Sequence, residues 1–105
     1  MIKMKKIEWS QKEESTIINS LDGLCADINN NIDDEVSVKY YHHNLEYEVC
    51  PDWNDPTKLH YIITKLYRNS KGDIIDDELI KHEIHPRVIG NLKKLVKKMV
   101  SEIRN

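Results

Sequence analysis

The chain has no phenylalanine at all, and its few aromatics are five tyrosines and two tryptophans, so the core has to be built from Ile, Leu, Val and Met. No stretch approaches the ~20 consecutive apolar residues that a membrane-spanning helix requires. The first ten residues carry charges but no apolar core of the signal-peptide kind. An intracellular, cytoplasmic protein without membrane partners is the expectation. Only two cysteines are present, Cys25 and Cys50, and in an unsignalled chain two thiols 25 positions apart are expected to be free. The three glycines (Gly23, Gly72, Gly90) are scattered, which excludes a glycine-rich phosphate cradle.

What the chain does have is charge. Of 105 residues, 32% are charged, with a formal net charge of −2, and a chain of this length is expected to be one domain. The small total hides a division. Residues 1–6 carry +3 from Lys3, Lys5 and Lys6, residues 87–105 carry +5, and residues 7–86 carry −10. Uniform nucleic-acid coating and uniform polyanion mimicry are both excluded.

Periodicity predicts the elements. Ser10 with Glu13 has capping-box form, and Ile17, Ile18, Leu21, Leu24, Cys25 and Ile28 recur at helical steps, so the spacing predicts a helix from Ser10 to about Asn29, with Cys25 in the core. Gly23 inside it costs about 1 kcal/mol relative to Ala. The period changes to two at Val36, Val38 and Tyr40, and again at Leu45, Tyr47 and Val49; His42, His43 and Asn44 are the expected hairpin connection. Residues 50–56, with Pro51 and Pro56, read as a loop. A third strand is expected over Leu59–Tyr67, a turn at Asn69–Asp73, and a fourth strand near Leu79–Ile84. Pro86 is placed as the first residue of a last helix with apolar positions Val88, Ile89, Leu92, Leu95, Val96, Met99, Val100 and Ile103. The expected fold is α+β: an N-terminal helix, an antiparallel sheet of three or four strands and a C-terminal helix, with both helices on one sheet face.

No catalytic constellation stands out. His42 with His43, and His82 with His85, lack spacings that place two ligands on one side, so the histidines read as structural and no metal or cofactor is expected; a composite site with Cys50 or Asp52 is the alternative. Cys50 and His60 could form a thiol–imidazole pair, but nothing marks a nucleophile elbow. Leu79 stands where the second carboxylate of a metal-nuclease strand would be. The chain is therefore expected not to be an enzyme. Tyr41, Tyr61 and Tyr67 lie near Lys39, Lys65 and Arg68, but alternation does not put them on one base-stacking face.

The binding candidates are carboxylates in turn-like segments. Asp52, Trp53 and Asp55, together with Asp76, Asp77 and Glu78, form an expected partner-binding set, with acids steering and Trp53 anchoring onto a protein with a basic functional surface. On that basis the expected function is a small non-enzymatic binding module, a stoichiometric inhibitor or immunity-type protein of a phage, plasmid or bacterial conflict system. The alternative is a nucleic-acid-binding or regulatory protein using Arg87, Lys93, Lys94, Lys97 and Lys98 on phosphates. The simplest account of those cations is a solvated outer helix face complementing the helix dipole. Monomer and homodimer are both compatible with so small a sheet, whose edge strand could pair across a two-fold axis.

Overall fold

The computed structural model describes residues 14–30, 32 and 36–105. Within them the chain runs β1 (Glu14–Ile18), α1 (Leu21–Asn30), β2 (Val36–His42), β3 (Leu45–Pro51), β4 (Lys58–Arg68), β5 (Ile74–Pro86) and α2 (Asn91–Arg104). The strands form one five-stranded sheet in chain order, β1-β2-β3-β4-β5. β1 runs parallel to β2 and the remaining neighbours are antiparallel. Parallel neighbours need a crossover, and α1 supplies it.

The sheet is thus mixed and has one or two strands more than the periodicity suggested. The expected first helix is half strand. Thr16, Ile17 and Ile18 are a β-branched run, and they pair with Val38, Lys39 and Tyr40. Their helical spacing relative to Leu21 is a coincidence of short-range pattern. The helix begins only after Ser20, whose Oγ accepts from the Gly23 amide at 3.0 Å while its carbonyl accepts from Leu24. Gly23 fits that cap: an added Cβ would lie 2.9 Å from the Ser20 hydroxyl. The proposed Ser10–Glu13 capping box lies outside the described residues.

Two other boundaries move. The β2–β3 connection is the two-residue turn His43-Asn44, since His42 already pairs with Leu45, and His43 takes a left-handed conformation at φ 56. Pro86 closes β5 opposite Lys58 rather than opening a helix. Gly90, at φ 89, is the N-cap of α2, a conformation that no helix interior contains. The helical period runs through Val88 and Ile89, yet both are exposed, Ile89 at 94%.

Both helices cover the same sheet face, as expected. Leu24 and Ile28 of α1 and Leu92, Leu95, Val96 and Met99 of α2 join Val38, Tyr40, Tyr47, Val49, Leu59, Tyr61 and Ile63 in one buried cluster. Polar bonds fasten α2 over β4 and β5. The buried Tyr61 hydroxyl donates to Glu102 Oε1 at 2.6 Å, Lys81 Nζ donates to Glu102 Oε2 at 2.9 Å, and Lys98 Nζ donates to Glu83 Oε1 at 2.9 Å. Burial and the Glu102 carboxylate push the Tyr61 phenol well above the usual tyrosine range, so it stays a donor. The opposite sheet face carries neither helix. Cys50 lies on that open side and Cys25 on α1, so the two thiols are free and separated by the sheet. Cys25 is only half-buried, and Arg104 Nη2 donates to its sulfur at 3.3 Å, so it is a rim residue and not core.

Candidate functional site

The open face is arranged in rows by strand register. Lys39, Glu48, Ile62 and His82 align across β2 to β5, and Cys50, His60 and Ile84 form the adjacent row. Alternation along β4 sends Leu59, Tyr61 and Ile63 to the helices and His60 and Ile62 to the open side. At the end of these rows the β3–β4 loop folds back. Asp52 Oδ1 accepts from the Asn54 amide (2.8 Å) and the Asp55 amide (3.2 Å), an Asx-type turn that sets the loop's direction. Its other oxygen, Oδ2, accepts from His60 Nε2 at 2.9 Å. The His60 Nδ1 in turn meets His82 Nε2 at 2.5 Å, the two rings stacked at 4.8 Å.

Together with Glu48, Cys50, Trp53 and Ile62 these groups line an open cleft of about 430 Å³. The hydrogen bond from His60 holds the Asp52 carboxyl below its ordinary range, so Asp52 is an ionised acceptor. Burial pushes Glu48 upward, against the pull of Lys39. Among the described residues no group of three His, Cys, Asp or Glu side chains is arranged as a metal cage. The strand register does make Cys50 and His60 neighbours. Both ring nitrogens of His60 are engaged by Asp52 and His82, so neither is available to activate the Cys50 thiol.

The six-residue acidic set divides into two groups. Asp52, Trp53 and Asp55 sit at the β3–β4 end, level with Lys58 in the register, whereas Asp76 lies opposite Tyr67 and Glu78 opposite Lys65. Nine residues of strand at ~3.3 Å each separate the ends by about 30 Å. The first group is occupied structurally. Asp55 caps its own loop through Thr57, whose amide and hydroxyl donate at 3.0 and 2.5 Å, and it pairs with Lys58. Trp53 is half-exposed on the cleft rim. In the second group Glu78 accepts from the Tyr67 hydroxyl at 2.7 Å, and Asp76 accepts from the Asp77 amide. All three carboxylates of that group are exposed.

Around them lies the feature that the sequence did not announce. β5 is an edge strand of 13 residues, far longer than the expected Leu79–Ile84, and Ile74, Ile75, Leu79, Ile80 and Ile84 each expose half or more of their surface, Ile75 the most at 64%. Among the described residues no strand pairs with its outer edge. Two register shifts, at Ile63/Thr64 and Tyr67/Arg68, fall within its pairing with β4. Clusters of isoleucine flanking a run of acids were legible in the sequence; that they lie on an edge was not.

The basic helix is partly committed as well. Lys98 is held by Glu83 and lies 5.5 Å from the Tyr61 ring centre, and the Arg87 amide donates to Thr57 at the strand end. Lys93, Lys94 and Lys97 have no partner among the described residues. Contrary to the dipole account, Lys93 and Lys94 stand in the first turn of α2, and only Arg104 stands in the last. The three tyrosines share no face: Tyr61 is buried under α2, and Tyr41 lies on the open side. Burial and Glu46 push the Tyr41 phenol up to about 12. No helix among the described residues is long and apolar enough to cross a membrane.

No family model, no curated protein and no solved structure matches this chain.

Proposed function

We propose that the chain is a non-enzymatic protein-binding module whose partner docks along β5. The observation that carries this reading is the edge itself: a long strand whose outer side pairs with no strand among the described residues, with five exposed aliphatics and three consecutive carboxylates. Folded proteins normally shorten, charge or cover such an edge, because its free amides and carbonyls template further pairing. Here the apolar side chains supply contact area and Asp76, Asp77 and Glu78 favour a basic partner segment, giving strand addition with electrostatic selection. Occupying a partner's basic surface in this way is how a stoichiometric inhibitor or immunity-type protein acts. In this reading Asp52 and Asp55 shape the loop, and Trp53 lies outside the main contact.

The test is affinity capture from cells of the source organism with the full chain and with the variant Asp76→Lys/Asp77→Lys/Glu78→Lys. A partner retained by the parent, lost by the variant and indifferent to Trp53→Ala supports the assignment. Equal retention by the charge-reversed variant overturns it.

The unpartnered Lys93 and Lys94 favour a second reading. Two cations in a first helical turn each cost about 0.3–1 kcal/mol against the dipole, and contact with nucleic-acid phosphates offsets that cost. Duplex DNA binding whose affinity falls with salt at about −0.9 per neutralised phosphate, and which disappears in Lys93→Ala/Lys94→Ala/Lys97→Ala, distinguishes this reading from the first.

A further inference from the structure

We infer that the His60–His82 contact is a proton-operated latch holding β5 against β4, closed while the pair carries at most one added proton and open when it carries two. Along the chain these histidines are 22 residues apart, and the pairing of β4 with β5 brings them together. Asp52 is an ionised carboxylate and can only accept, so the proton between it and His60 resides on Nε2. His60 Nδ1 and His82 Nε2 stand 2.5 Å apart with the rings stacked at 4.8 Å, a separation that one proton facing one lone pair fills. In the neutral pair His82 supplies that proton and His60 the lone pair. A first added proton goes to His82 Nδ1, or the tautomer of His82 reverses and His60 becomes the cation. In either form one proton still bridges the rings. A second added proton leaves an N–H on every ring nitrogen, and two N–H groups cannot face each other at 2.5 Å.

The surroundings separate the two steps. Towards His60 stand Cys50 of β3 in register, Glu48 one row on and Asp52 of the β3–β4 loop; His82 shares its row with Ile62, Glu48 and, furthest away, Lys39. Lys81 and Glu83, the neighbours of His82 in β5, bond Glu102 and Lys98 on the helix side of the sheet. Asp52, and Glu48 when ionised, favour the first proton; the second meets the cation already present on the stacked ring. The His60 side chain is only 16% exposed, so water screens that repulsion weakly. Histidine is the side chain whose charge changes between pH 5 and 8. What the latch regulates rests on the reading of β5 as the docking edge. His82 pairs with Ile62 beside the register shift at Ile63/Thr64, where the ladder is already interrupted. Parting the rings loosens β5 there and sets two positive charges beside an edge that selects a basic segment, so acid releases the partner.

The experiment is a nuclear magnetic resonance titration of the imidazole rings in the full chain from about pH 8 to 4.5, with amide exchange corrected for its intrinsic pH dependence. His60 and His82 are expected to titrate as a pair in two steps more than about one pH unit apart. Residues 81–84 should lose protection about ten-fold across the second step while β2 and β3 keep theirs. In His82→Gln the His60 ring should titrate in one step and that loss should vanish. Independent titrations with coincident midpoints, or protection of 81–84 that survives the second step, would overturn the latch. With a partner bound at β5, affinity should fall about ten-fold across the same step and stay level in His82→Gln; affinity equal on both sides of the step would overturn the regulation. A partner captured elsewhere, with the coupled titration and the loss of protection intact, refutes the docking reading and supports the latch.

Discussion

Tyr61 is the best place to test how the α2 layer is fastened to the sheet. Its ring is fully buried among the core residues, and its hydroxyl makes a 2.6 Å hydrogen bond to the Glu102 carboxylate. Tyr61→Phe keeps the ring and removes only that oxygen. A hydrogen bond to a charged group is worth about 1.5–3 kcal/mol, more than a neutral pair, because the acceptor loses a donor that water replaces poorly at a half-buried position. Glu102 retains Lys81, so the carboxylate is not orphaned and the cost should lie in the lower half of that range. At ~4–8 °C per kcal/mol for a domain of this size, the melting temperature should fall by roughly 6–18 °C. A double-mutant cycle with Glu102→Gln, followed by urea unfolding, isolates the pair: a coupling above about 1 kcal/mol is expected. A loss below ~0.5 kcal/mol with an additive cycle would show that Tyr61 acts through its ring alone, and the reasoning would fail.

Acid should weaken the same layer. Hydrogen bonds from Lys98 and His85 hold Glu83 down at about 2, below its ordinary 4.5, so its contribution is present above pH ~4.5 and is lost as pH falls towards 2; Glu83→Gln should flatten the lower limb of a melting-temperature-against-pH curve. Gly90→Ala forces an L side chain into φ 89 at the N-cap of α2, and a loss of about 1–2 kcal/mol in urea denaturation is expected although nothing crowds the added Cβ.

Much of this architecture was readable from local pattern, and the failures share a cause. The β2, β3 and β4 alternation and the α2 stripe from Leu92 to Met99 reflect one-sided burial, which a period of two or 3.6 records directly. Ile17 and Ile18 misled because five residues of β1 precede a short helix, and the joined apolar positions imitate one longer stripe. Pro86 is tolerated at the end of an edge strand as readily as at a helix start, and the deciding residue was Gly90. β5 was foreshortened for a different reason: Ile74 to Glu78 are exposed on all sides, so no burial pattern marks them as strand. The His60–His82 contact depends on register between strands, information that linear spacing does not hold. The acidic residues can be read off the sequence, but the strand length that holds Asp52 and Asp76 far apart cannot.

The claim that β5 is the docking edge is tested most directly by hydrogen–deuterium exchange on the chain alone and with its captured partner. The account predicts new amide protection concentrated in residues 74–84, with the α2 amides and the 52–57 loop unchanged. Protection confined to α2 or to that loop, with β5 exchanging as it does in the isolated chain, would contradict it.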